Sequence, residues 1–300
     1  MASPFVHKVR DFLQRHFASV CRPLQSAAAA VEYSLLDCWW ALRGFRKPSD
    51  ADARFVAENV TFMFKSFERQ NQARALYRSI RKHYPEVRIV IADDSSRPLT
   101  LPLMGGEDKV TVVQLPFNSG LSKGLVKALE QVSTPFLVRM DDDELLTRHL
   151  NVAEELRFLQ AHPEVDLVAF PCIEGMKSLS VKKFLRPYYK ITMADAPLPL
   201  LVAHGTKIDE SHVVLGKVPN IFLARTESVR KVGWDENIRM IDHHDFFFRA
   251  AGILVSAVSL NSVVFHNHNY FKTIYNKFRS DWKGDAIYIS RTRRRRTSKG

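Results

Sequence analysis

A chain of 300 residues with 46% hydrophobic content has room for one large domain or two small ones. Its three cysteines, Cys21, Cys38 and Cys172, match neither a disulfide framework nor a metal-ligand spacing, which points to a reducing compartment. The formal charge of +12 calls for an anionic partner, yet half of that excess sits in the last ten residues, 291–300, with five Arg, one Lys and no acid. A basic tail of this kind suits nucleic acid, an anionic membrane surface or a solubilising end.

The first 45 residues read as amphipathic. Val6, Val9, Phe12, Leu13, Phe17 and Val20 fall at helical spacing, with Lys8, Arg10, Arg15 and Arg22 elsewhere around the turn. Such a helix could lie in a membrane interface or pack on the domain that follows. The most apolar window, residues 23–42, is interrupted by Gln25, Glu32 and Asp37, so no transmembrane helix is expected. No basic start leads into an uninterrupted apolar core either, so the expected location is cytoplasmic, peripheral on a membrane. Residues 46–50 read as a linker between an extension (1–50) and a folded domain (58–275), with 276–300 as the basic tail.

From residue 59 strands alternate with helices. Strands are expected over 60–64, 87–92, 110–115, 135–140 and 165–170, and helices over 69–83, 119–132 and 147–161. This alternation predicts an α/β domain with a mostly parallel sheet. Ligands of such sheets gather at the carboxyl ends of the strands. Two acidic clusters occupy such ends: Asp93-Asp94 and Asp141-Asp142-Asp143-Glu144. Four adjacent acids repel one another, and none can be buried unpaired without a large cost. A divalent cation resolves that conflict. Residues two apart in an extended chain point the same way, so Asp141 and Asp143 can share one ion. Hard oxygen ligands suit Mg2+ or Mn2+, which also hold substrate phosphates. The competing reading is a solvated acidic loop.

These residues carry a resemblance. The strand running into Ala92-Asp93-Asp94-Ser95-Ser96, the Asn118-Ser119-Gly120 turn into a helix and the strand into three aspartates look like the nucleotide half of a GT-A glycosyltransferase. The segments 222–236 (FLARTESVRKVGWDE) and 242–249 (DHHDFFFR) extend the likeness over roughly residues 58 to 270. Together they resemble family 2 glycosyltransferases, most closely the animal β1,4-N-acetylgalactosaminyltransferases that build gangliosides.

The resemblance implies a role for each matching position. Asp93 or Asp94 falls where the family contacts uracil and ribose of a UDP-sugar. Asp141 and Asp143 match the metal-binding DXD, with Asp142 beside the donor. His266 or His268, two residues apart after an apolar stretch, completes the metal shell. Asp245 matches the acid of the relatives' HxEFF-like motif and is the expected base for the acceptor hydroxyl, with Asp242 as the alternative. Where relatives carry Arg-Asn in the helix after the turn, this chain has Leu125-Val126, and Lys123 is the expected replacement contact. The segment 174–217, with Tyr188, Tyr189, His204 and His212, is expected to cover the acceptor site.

The expected activity is a metal-dependent inverting transfer from a UDP-sugar, with UDP-GalNAc suggested by the resemblance, to a glycan or lipid-linked acceptor. Two other classes compete with it. One is a catalytically silent GT-A module that binds nucleotide or glycan. The other is a nucleic-acid binder driven by the Arg tail, disfavoured because it leaves both acidic strand ends unexplained.

Overall fold

The computed structural model describes residues 12, 16–175, 199–267, 273–278 and 282–297. Strands β1 (Val60–Ser66), β2 (Arg88–Asp93), β3 (Val110–Gln114) and β4 (Phe136–Asp141) pair in parallel in the order β3-β2-β1-β4. The sheet continues through β9 (Phe222–Arg225), β6 (Leu167–Ala169), β10 (Ser256–Ser259) and β8 (His212–Val214). Here β9 runs antiparallel to both β4 and β6, and β8 runs antiparallel to β10. A smaller sheet orders β5 (Glu144–Leu145), β11 (Val264–His266) and β7 (Cys172–Glu174) as β5-β11-β7.

Strand alternation splits the core into two layers. Phe62, Phe64, Ile89, Ile91, Val138 and Met140 face one side and pack on α3 (Gln70–His83) and α5 (Val152–Ala161). Met63, Val90, Ala92 and Leu137 face the other and pack on α4 (Leu121–Glu130) and α7 (Asp242–Ala250). Burial on both faces is why these strands read as near-continuous apolar runs. The register aligns the strand ends: Ser66 lies beside Asp93, and Lys65 beside Asp141. Both acidic clusters therefore reach one edge of the sheet, next to a lysine.

The chain departs from the sequence expectation at several boundaries. A helix, α2 (Asp50–Asn59), runs straight into β1 from what reads as a linker. Ser49 caps it, its hydroxyl accepting the Asp52 N–H at 3.1 Å. Helix α5 starts at Val152, where the Asn151 side chain caps it by accepting the Glu154 N–H at 3.3 Å. The segment expected as a basic tail, 276–300, takes in the end of α8 (Thr273–Phe278) and α9 (Trp282–Thr297). Buried Asp285 of α9 accepts N–H groups from Arg239, Met240 and Ile241 at 3.1, 2.7 and 3.2 Å, tying this helix to the domain. At the other end, α1 (Ala18–Leu42) packs on the domain through Leu36 and Trp40. Phe12, Phe17 and Val20 of the expected amphipathic stripe are exposed, whereas Val6, Val9 and Leu13 lie outside the described residues.

The basic residues of the segment 222–236 and its continuation into α7 hold backbone together. Arg225 donates to the Val165 and His162 carbonyls at 3.2 and 3.3 Å, and Arg230 to the Val132 carbonyl at 2.6 Å. Arg249 donates to the carbonyls of Val232 and Gly233 at 2.5 and 2.9 Å, joining α7 to the end of α6 (Thr226–Val232).

The Ser49 cap gives a direct check. Ser49→Ala should lower unfolding free energy by about 1 kcal/mol, read from the urea midpoint at constant m-value. An unchanged midpoint would show that α2 is held by packing of Val56 alone.

Candidate active site

The end of β2 builds a loop. Asp93 accepts the Ser95 N–H and hydroxyl at 3.2 and 2.6 Å and the Leu99 N–H at 2.8 Å, bracing residues 95–99. Asp94 faces the other way. It pairs with Lys65 at 2.5 Å and accepts the Gly120 N–H at 3.1 Å. Burial pushes the Asp94 carboxyl up, and Lys65 pulls it partly back. The Asn118-Ser119-Gly120 turn needs left-handed backbone at Asn118 (φ 54°) and Gly120 (φ 105°), and its Gly120 amide is the one that Asp94 anchors. Both carboxylates are fully buried, so they shape the walls of the cleft from behind rather than line it.

The end of β4 is a network of acids and arginines. Arg139 sits inside the apolar run of β4 with no exposed surface. It reaches Asp141 at 2.9 Å, Asp242 at 3.4 Å and the Asn220 carbonyl at 2.5 Å. Arg69, at the start of α3, engages Asp142 through Nη2 and through Nε, the latter at 3.1 Å, and Asp143 through Nη1 at 2.6 Å. Tyr275 of α8 stacks over the same guanidinium at 4.2 Å. His266 turns Nε2 toward Asp143 at 3.6 Å and Nδ1 toward Glu174 at 4.0 Å. Burial alone would lower the His266 pKa, but Asp143 and Glu174 outweigh it and hold it above the ordinary value. Glu144, fully buried, accepts the Asp141 N–H at 2.7 Å. Burial first, then the Asp141 charge, push its carboxyl well above the ordinary range.

A cleft opens at this edge. Asp141 and Asp142 line it together with Lys65, Arg69, Arg239 and the backbone turn at Asn118 and Gly120. Phe67, Phe117 and Phe278 form an aromatic trio with centroids 5.4–5.5 Å apart, and Phe67 and Phe278 line the cleft. Asp141 keeps 35% of its side chain exposed, whereas Asp142 is buried under Arg69. Lys123 is half-buried on α4 and does not reach the cleft; the cation supplied on that side is Lys65 from β1. One helical position is a turn of about 100°, and it is Gly124, not Lys123, that faces β1. Lys65, Arg69 and Arg139 are functional candidates that motif spacing alone passes over. A signal for Arg139 is nonetheless in the sequence: a lone Arg inside a buried strand demands acidic partners.

The motif on α7 divides its acids between two arginines. Asp242 opens the helix beside Arg139 and so joins the β4 network. Asp245 pairs with Arg249 at 2.6 Å, whose remaining donors go to backbone carbonyls away from the cleft. His243 donates to the Val218 carbonyl at 2.7 Å, and burial pushes its pKa down to about 3, so the ring is neutral. His244 lies against Lys217 at 3.0 Å. His212 is held between Glu155 and Asp209, at 2.9 Å from each, and has a structural place on β8. His268, Tyr188 and Tyr189 lie outside the described residues.

Three candidate donors stand at this strand end, but Asp141 and Asp143 are not among the described side chains whose ligand atoms gather within 4.8 Å of one another. Asp141 is accessible from the cleft, and Asp143 and His266 face each other behind it. Carboxylate oxygens with one imidazole suit Mn2+ or Mg2+. His266 also stands within 4.8 Å of the ligand atoms of Cys172 and Glu174. A carboxylate on the far nitrogen of a ligating histidine is the usual way such a ring is oriented.

Residues 63–208 match the model of glycosyl transferase family 2. They form a glycosyltransferase family 2 domain. The chain is 31% identical over 220 residues to mouse β-1,4 N-acetylgalactosaminyltransferase 1, covering 70% of this chain and 39% of that protein. It is 30% identical over 204 residues to the mouse β-1,4 N-acetylgalactosaminyltransferase 2, covering 67% of this chain and 38% of that protein. The matched region thus takes in well under half the length of these relatives. Among solved structures, S. aureus TarS 1–349 superposes with a TM-score of 0.51 at 16% identity, covering 69% of this chain and 60% of that one. The likeness in backbone supports the GT-A fold.

Gly124 tests the packing of the family 2 cleft. A Cβ there would stand 2.5 Å from Lys65 Cγ. Elsewhere in a helix, Gly→Ala stabilises by roughly 1 kcal/mol. Gly124→Ala should instead destabilise by about 1–3 kcal/mol, because it drives Lys65 off Asp94 in a filled core. A rise in denaturation midpoint would contradict this packing.

Proposed function

We propose that this chain transfers a sugar from a UDP-sugar, UDP-GalNAc first among candidates, to a hydroxyl of a glycan or glycolipid acceptor, with inversion and with Mn2+ or Mg2+. The donor assignment leans on the named activity of the relatives at 30–31% identity. The observation that carries the reaction type is the buried Arg139, which holds Asp141 at the cleft and Asp242 at the start of α7 on one guanidinium. Two carboxylates with different surroundings, one facing a cation-lined cleft and one at a helix start, suit two different roles.

The residues divide the work. Lys65, Arg69 and Arg239 give the cleft its positive lining, where a diphosphate would lie. Phe67 and Phe278 offer apolar ring surface for a base, in the cleft whose wall Asp94 and Asp93 brace from behind. Asp141, Asp143 and His266 would hold the cation, with Glu174 orienting His266. Bound there, a divalent cation would neutralise the charge that develops on the leaving diphosphate. Asp142 serves this site indirectly, by fixing Arg69.

Asp242 is the base in this account. It accepts the proton of the acceptor hydroxyl as that oxygen bonds the anomeric carbon. The glycosyl–phosphate bond breaks, and UDP leaves with its electron pair. Asp245, favoured by motif matching, is given a positioning role instead, because its pair with Arg249 is the tighter, 2.6 Å against 3.4 Å for Asp242 with Arg139, and Arg249 ties it to the backbone of residues 232–233.

Donor hydrolysis and transfer, measured across UDP-, GDP- and CMP-sugars with Mn2+, test the proposal. A UDP-sugar should be turned over and the others not; binding of UDP without any turnover would make this a silent module. Asp143→Asn should abolish Mn2+-dependent UDP binding in calorimetry while the circular dichroism spectrum is retained. Asp242→Asn should keep UDP affinity and lose transfer by roughly a hundred- to ten-thousandfold, the usual worth of a general base. The opposite pattern, an active Asp242→Asn beside a dead Asp245→Asn that still binds UDP, would return the base to Asp245.

A further inference from the structure

Helix α1 carries apolar residues on its outer face as well as its buried one. Its polar residues Gln25, Glu32 and Asp37 point into the protein, and Asp37 is held there by Arg148 at 2.9 Å and Lys82 at 3.6 Å. Beside them Ala29, Leu36 and Trp40 are buried, but a second set of apolar residues points outward. Leu24 is 64% exposed, Val31 59% and Leu35 54%, and the same stripe continues through Val20 and Leu42. Positions 20, 24, 31, 35 and 42 recur at whole turns, so they form one ridge, about 33 Å long at 1.5 Å per residue. A contiguous exposed apolar ridge of this length marks a contact surface.

Charge says what it contacts. Arg22 stands exposed near one end of the ridge, and Arg43, Arg46 and Lys47 near the other. Between His16 and Ser49 no acid is exposed among the described residues, because Glu32 and Asp37 are turned inward. An apolar ridge with cations at both ends and no exposed acid is complementary to an anionic lipid surface. A second copy of this face would bring like charges together. No described helix is long and apolar enough to cross a membrane, so the contact is lateral.

We propose that the outward ridge of α1 lies in the headgroup region of an anionic phospholipid bilayer and docks the domain there as a peripheral protein. This surface shares Val20 with the N-terminal stripe that the sequence brings forward and is separate from the arginine tail. It also lies near the proposed active site. Arg22, Pro23 and Ser26 of α1 line a cavity together with Arg69 and Tyr275, which border the donor cleft as well. If the glycosyltransferase reading holds, and this corollary rests on it, a lipid-linked acceptor in the same bilayer is presented beside the donor.

Vesicle sedimentation of the full chain tests the docking. Phosphatidylcholine vesicles are compared with vesicles of phosphatidylcholine and phosphatidylserine, at low and high salt. The triple variant Leu24→Glu, Val31→Glu, Leu35→Glu changes exposed positions only, and its fold is checked by circular dichroism and thermal melting. The chain should bind the anionic vesicles, binding should fall with salt, and the variant should bind at least about tenfold more weakly. Three results overturn the proposal: no binding to anionic vesicles at low salt, equal binding by the folded variant, or a dimer abolished by the variant in a chain that ignores vesicles. The readout is independent of turnover, so a chain that binds vesicles but transfers no sugar would refute the catalytic reading and leave this one standing.

Discussion

A fully buried guanidinium is the constraint on which the active edge depends. Arg139 lies in β4, the last strand of the parallel run, where antiparallel β9 joins it, between residues that pack on both layers of the core. Burying such a charge costs several kcal/mol unless partners and hydrogen bonds compensate it. Asp141, Asp242 and the Asn220 carbonyl supply that compensation. The same contacts fix where α7 begins relative to the end of β4. Stability and the geometry of the site are thereby one arrangement. Arg69 repeats the logic on the other side of the strand end, where it makes room for Asp142 and Asp143 to sit buried side by side. The acids that would repel one another are held by two arginines, which leaves Asp141 facing the cleft.

The parallel half of the fold is legible because its strands are buried on two faces and its helices on one. Uninterrupted runs such as residues 60–64 and 135–140 can be strands only if both sides are covered, and the helical spacing of Ala73, Leu76, Tyr77 and Ile80 supplies a cover. The acidic strand ends are legible for the same reason: an apolar run that stops at carboxylates must stop at a special edge. Local pattern fails where the partner is distant. Nothing near Lys65 announces Asp94, and Arg69 meets Asp142 across 73 residues of chain. Helix α2 is hidden because only Val56 of its ten residues is buried, so it carries almost no periodic signal. Within 242–249 the motif favours Asp245, and the fold sets the two acids apart by pairing Asp242 with Arg139 and Asp245 with Arg249.

The two apolar faces of α1 are a related case. Read as a sequence, Gln25, Glu32 and Asp37 look like breaks in an apolar segment. In the fold they face the domain together with Leu36 and Trp40, while Leu24, Val31 and Leu35 form the exposed face. Hydrophobic spacing reports that a helix has two faces. It does not report which one the protein keeps.

The central claim is that the acids at the end of β4 hold a cation for a nucleotide diphosphate. Crystals grown with UDP and Mn2+ test it most directly, through the anomalous scattering of manganese. The account predicts a single strong anomalous peak within bonding distance of Asp141, Asp143 and His266, with the diphosphate beside Lys65 and Arg69. A UDP complex with no manganese at these residues, or with the nucleotide bound elsewhere, would contradict it.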